Sequence, residues 1–162
     1  MSSPWVENRR LFLGHFGALI SFSCIAISAD VWGQDTGDRL RFAPESDGGG
    51  FAFDTGLLSG KLRQQGKPIG MTPLHYKGYP NDLSQPYGIC SHYRLLDAEN
   101  RYGVAAWEWA GKAELLDDGS VKALWTRDET HPFDLQAVYR WRAPDTLDVV
   151  TTVVAAKRLQ RF

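Results

Sequence analysis

Four side chains in the middle of the chain have the types and spacing that sugar recognition uses. Trp107 and Trp109 flank Glu108 in "RYGVAAWEWA", and His92 and Arg94 stand in "YGICSHYRLL". In a strand, successive side chains point to opposite faces. Trp107 and Trp109 then share a face with Gly103 and Ala105, and Glu108 lies on the other with Tyr102, Val104 and Ala106. The two indoles form a flat strip beside small residues, and two readings of it stand. Exposed, the strip stacks against the apolar C–H face of a sugar ring, with His92 and Arg94 beside it. Covered, it is core between two sheets, each indole burying a large apolar area. Glu108 is solvent-facing, or paired with a base such as Arg94, or a catalytic acid.

Other residues carry weaker chemistry. Cys90 and His92 are two apart, on one side of a strand, which a thiol–imidazole pair would use; the competing reading of Cys90 is a small buried hydrophobe. His75, Tyr76 and Tyr79 lie in "HYKGYPNDLSQP", a proline-bearing loop of the kind that often holds binding sites. His131 precedes Pro132 at a turn into a strand. No two histidines have the spacing H-x-H or H-x-x-x-H, so no metal site and no cofactor are expected. The nucleophile-elbow, P-loop, dinucleotide-binding, C-x-x-C and EF-hand patterns are missing. Asp54, Asp97, Glu108 and Glu129 offer carboxylates, but no pair is placed at a glycosidase separation.

The elements that position these residues are strands. From Phe51 onward, short alternating apolar runs are broken by Gly, Pro, Asn and Asp, with no helical period over three turns. "FAFDTG" opens the series, and "SGKLRQQGKPIGMTPL" reads as a hairpin turning near Gln65 and Gly66. "YGICSHYRLL" and "RYGVAAWEWA" pair across "DAEN". "KAELL" and "VKALWT" flank Asp118-Gly119, a tight-turn signal. "FDLQAVYRWR" and "TLDVVTTVVAA" flank "APDT". In the former, Leu135, Ala137, Tyr139 and Trp141 share a dry face. In the latter, Val149, Val150, Val153 and Val154 cover both faces, which predicts a central strand. The chain ends six residues later, so the sheet is expected to be completed by a second chain or by a missing C-terminal half. The fold class expected is all-β: an antiparallel, supersandwich-like β-sandwich over 51–162, incomplete in this chain.

The N-terminus has a different texture. Arg9 and Arg10 precede the apolar run Leu11–Ala29, which Gly14, His15 and Gly17 interrupt. This is the pattern of a signal peptide over residues 1–29, cleaved after Ala29 or Gly33, and it predicts export to the periplasm or the exterior. The paired arginines leave twin-arginine export open beside the general route. Cys24 lacks the aliphatic residue three positions earlier that a lipid-acceptor cysteine has. Uncleaved, the segment would be the chain's one contact with a membrane. Residues 30–50, rich in Gly and charge, read as a flexible linker. Without residues 1–29, Cys90 is the remaining cysteine, so no internal disulfide is expected. A net charge of −1 across 162 residues gives no basic footprint for nucleic acid.

"FDTGLLSGKLRQQGKPIGMTPL", "HPFDLQAVYRW" and "TLDVVTTV" resemble the first half of a group of secreted bacterial proteins similar to the galactose-mutarotase-like, carbohydrate-binding superfamily. The resemblance spans roughly Phe51 to Phe162 and implies a large β-sandwich that touches sugar. It does not imply epimerase chemistry, because no position matches the superfamily's histidine acid, glutamate base or Asn-Arg element. The function expected is a secreted carbohydrate-associated β-sandwich, not an enzyme as the chain stands. The alternatives are a structural or interaction domain of the cell envelope and an incomplete mutarotase-like enzyme. The candidate carbohydrate-binding residues are His92, Arg94, Trp107 and Trp109.

Overall fold

The computed structural model describes residues 40–65, 69–84, 88–92, 95–102 and 109–161. The predicted signal segment 1–29, both predicted cleavage positions, and Arg94, Trp107 and Glu108 lie outside the described residues.

Among the described residues, two antiparallel four-stranded sheets face one another, and the fold is all-β and sandwich-like. The first contains β1 (Ala43–Pro44), β2 (Gly50–Asp54), β3 (Leu58–Arg63) and β4 (Met71–Tyr76), in that order. The second contains β5 (Gly111–Leu115), β6 (Val121–Trp125), β7 (Phe133–Ala143) and β8 (Thr146–Ala155), again in chain order. Each link within a sheet is a local reversal, so local turn chemistry dictates the topology. Between β2 and β3, Thr55 N–H donates to Leu58 O (2.9 Å). Between β5 and β6, Gly119 N–H donates to Leu116 O (2.9 Å), and Gly119 takes φ +78°, open to glycine at little cost. Between β7 and β8, Pro144 and Asp145 form a two-residue loop inside the pair Ala143–Thr146.

The period-2 pattern fills the space between the sheets. Phe51, Phe53, Leu62, Met71 and Leu74 from the first sheet are buried. So are Val121, Ala123, Trp125, Phe133, Leu135, Ala137, Tyr139, Trp141, Leu147 and Val149 from the second. Trp141 packs on Phe53 with ring centroids 4.9 Å apart, and Phe42 meets Phe53 edge-on at 5.5 Å. Across the sheets, Thr55 Oγ1 donates to Pro144 O (2.7 Å) and Ala113 N–H donates to Gln64 O (3.0 Å).

Three expectations differ from this arrangement. Residues 40–50 do not form a free arm: Phe42 is buried, β1 pairs with β2, and Phe42 N–H donates to Gly119 O (2.9 Å). One phenylalanine in a polar stretch is enough to dock it, because its ring is buried against Phe53 and Trp141. The described residues of "YGICSHYRLL", 88–92, 95 and 96, form no continuous strand. They make isolated bridges, Ile89 to Met71 and Leu96 to Arg101, and Cys90 turns the chain at φ +58°. Tyr139 Oη donates to Cys90 O (3.0 Å) and holds that turn against the core. Apolar alternation is compatible with packing over a sheet as well as pairing within one. Lastly, β8 is an edge of the described sheet rather than a central strand, and it leaves Val150 and Val154 exposed at 37% and 45%. Valine favours a pleated surface with or without a covering layer.

At Gly60, β3 lets β4 approach closely: a Cβ there would lie 2.1 Å from Pro73 O. Gly60→Ala is expected to destabilise the fold by about 1–3 kcal/mol, through backbone displacement in a packed sheet. Urea unfolding measures this, and an unchanged midpoint would contradict the close approach.

Candidate functional site

Two places in the structure gather chemistry-bearing residues, one inside and one on the surface. The inner one holds the two described members of the predicted sugar site. Trp109 is 4% exposed, and its Nε1–H donates to Thr126 O (2.8 Å). The His131 ring lies parallel to its indole at 4.2 Å, and Phe133 meets it edge-on at 5.5 Å. His92 meets Trp125 at 5.5 Å, and Trp125 in turn lies 6.5 Å from Trp109. His92 and Trp109 therefore belong to one aromatic cluster, with Trp109 in the interior and His92 half-buried at its margin.

Within that cluster, Asp128 orients His131. Asp128 Oδ1 lies 2.9 Å from His131 Nδ1 and accepts from His131 N–H (2.8 Å), Thr130 N–H (2.8 Å) and Thr130 Oγ1 (2.9 Å). Partial desolvation pushes the Asp128 carboxyl up, but the donors from His131 and Thr130 outweigh it and hold its pKa at about 2. A carboxylate behind an imidazole is an arrangement used by general bases. Here the far nitrogen, Nε2, is sealed from solvent and has no partner among the described residues. The imidazole is thus positioned for packing, not for proton transfer to a bound molecule. The signal in "TRDETHPF" was Asp128 two and three residues before Thr130 and His131, a pattern in which a short acid caps the following backbone.

His92 donates to or accepts from Thr151 Oγ1 (3.0 Å), while its Nδ1 is buried without a partner among the described residues. Burial lowers its pKa to about 4, and burial raises the Cys90 thiol to about 11. A reactive thiolate–imidazolium pair needs the opposite order, and burial of both groups works against one. Among the described residues there is no group of three His, Cys, Asp or Glu that could hold a metal.

The surface site is the turn after β4. Tyr79 N–H donates to Tyr76 O (3.0 Å), and Gly78 takes φ +91°, close to the third position of a type II turn. Tyr76 and Tyr79, first and fourth in this turn, are 44% and 49% exposed. The turn is anchored on both sides. Lys77 N–H donates to Leu57 O (2.9 Å), and Leu83 N–H donates to Leu74 O (2.8 Å). Asp82 Oδ1 accepts from Leu74 N–H (3.0 Å), Ser84 N–H (2.7 Å) and Ser84 Oγ (2.6 Å). His75, Lys77 and Asn81, in the same segment, are exposed as well. Two phenols on a pinned turn with polar neighbours can stack on an apolar ring face and hydrogen-bond its rim.

The fold defines an all-β, sandwich-like domain. Comparison with protein-family models, with curated proteins and with solved structures gives no match for this chain.

The buried His92 makes stability depend on pH. Its folded pKa of about 4 lies below the value near 6.5 of a free imidazole. Between those values the unfolded chain binds a proton that the folded chain does not, so stability rises with pH and is lost as pH falls from about 6.5 to 4. Urea titrations are expected to show this loss in the natural chain, on the order of 2–3 kcal/mol at ~1.4 kcal/mol per unit. His92→Gln should remove most of it. Parallel pH profiles for the two proteins would mean that His92 titrates as in water.

Proposed function

We propose that the protein is a secreted or periplasmic carbohydrate-associated β-sandwich that recognises sugar at the turn 76–79. The observation that carries this reading is the pair of exposed tyrosines, Tyr76 and Tyr79, held at the two ends of one anchored turn. Surface aromatics are costly to leave in water, and here their backbone is fixed, so little ordering entropy is lost when a ring stacks on them. His75, Lys77 and Asn81 supply donors and acceptors for hydroxyl groups. The signal-like residues 1–29 and the resemblance to the galactose-mutarotase-like superfamily point the same way. Trp109 is core, His92 packs half-buried beside it, and on this reading both shape the sandwich rather than touch the ligand. A shallow site of this kind binds weakly, with Kd on the order of millimolar and a free energy near −4 kcal/mol.

The test is a panel of mono- and oligosaccharides titrated into the full chain and followed by NMR line shifts. At least one saccharide is expected to bind, and Tyr76→Ala and Tyr79→Ala should each weaken it tenfold or more. Thermal unfolding should change much less than binding, because both residues are already about half exposed. Failure of every saccharide, or binding that survives both substitutions, would remove this reading.

A further inference from the structure

The four sheet edges are not alike. Exposed edges invite pairing with other chains, and proteins blunt them with short strands, proline and charge. β1 is two residues long and contains Pro44; β4 contains Pro73; β5 is five residues long and exposes Lys112 and Glu114. β8 is ten residues long and has no proline, lysine or arginine. Its one charge, Asp148, is bonded by Arg142 Nε (2.7 Å). Among the described residues no strand pairs with its outer side.

The hydrogen-bond parity of this edge can be read. Ala156 N–H donates to Pro132 O (2.8 Å), which continues the register Asp134–Val154 and Gln136–Thr152. Even-numbered residues of β8 therefore turn their backbone groups toward β7. Val149, Thr151, Val153 and Ala155 turn theirs to the open edge. The sequence of β8 is also self-complementary. Val150 and Val154, both exposed, are placed symmetrically about Thr152. In an antiparallel pair centred on Thr152, Val150 of one copy faces Val154 of the other, and both faces keep their sides. Thr151 then exchanges hydrogen bonds with Val153, and Val149 with Ala155. The ends match as well. Asp145 and Asp148 open the hairpin side of β8, and exposed Lys157 and Arg158 follow its last residue. The two-fold places the acidic start of each strand beside the basic end of the other. An open depression of about 360 Å³ on the outer face, lined by Leu124, Gln136, Thr152 and Val154 among others, runs up to the same edge.

We infer that two copies of this chain join β8 to β8, antiparallel and in register at Thr152, to make one continuous eight-stranded sheet. The inference is independent of the carbohydrate reading, since it uses neither Tyr76 nor Tyr79. An isologous contact of this kind closes on itself and buries both open edges at once.

The register gives a sharp test in the full chain carrying Cys24→Ser. Thr152 faces its own copy as a non-hydrogen-bonded pair, whose Cα separation near 4.5 Å suits a disulfide. Thr152→Cys is expected to form a cross-linked dimer under mild oxidation. Val150→Cys should not, because its neighbour is Val154 of the other copy, and the background carrying Cys90 alone should not. Sedimentation should show a dimer for the natural chain, and Val150→Lys should weaken it tenfold or more with little change in melting temperature. A monomer at about 100 μM would overturn the inference. So would a dimer in which Thr152→Cys fails to cross-link, or cross-links no better than Val150→Cys.

Discussion

The inner face of β7 is the surface on which the rest of the protein depends. Phe133, Leu135, Ala137, Tyr139 and Trp141 alternate along one strand and are all buried. At one end, Trp141 receives Phe53 and Phe42 and so joins the second sheet to the first. In the middle, the Tyr139 hydroxyl holds the Cys90 carbonyl and pins the segment that crosses between the layers. At the other end, Phe133 meets Trp109 and Tyr102 edge-on. Burying large apolar area on one rigid strand is the dominant favourable term, and the docked loops inherit their positions from it.

That core also contains polar groups at some cost. His131 Nε2, His92 Nδ1 and Trp141 Nε1 are buried without partners among the described residues. An unsatisfied buried donor or acceptor costs about 1–3 kcal/mol. Each belongs to a ring whose apolar body packs tightly: His131 on Trp109, His92 on Trp125, Trp141 on Phe53. These ring contacts, one stacked, one edge-on and one tilted, offset part of that cost. Chemistry that looked available in the sequence is thus absorbed by packing. The surface keeps two features that packing does not use, the tyrosine turn and the long edge of β8, whose one charge is Asp148.

Most of the fold was legible before any coordinates. Period-2 alternation from Phe51, the Asp118-Gly119 turn and the Pro144-Asp145 turn give the strands and their antiparallel order, because these signals act over a few residues. The face of β7 was legible for the same reason. The site was much less so. Trp109 and His92 have the residue types of a sugar platform, and type says nothing about which layer covers a strand. The docking of Phe42, the positive φ of Cys90 and the stacking of His131 on Trp109 all depend on partners more than ten residues away.

The sequence by itself determined an all-β chain of local hairpins, since alternation, glycine and proline constrain neighbouring dihedrals directly. Only the tertiary structure decided that the indole of Trp109 is core, that Tyr76 and Tyr79 stay about half exposed, and that β8 is an edge among the described strands. The physical reason is that exposure is a property of what lies across the space between elements. A strand's own pattern records two faces, but it does not record whether a second layer, a loop or water lies against each of them.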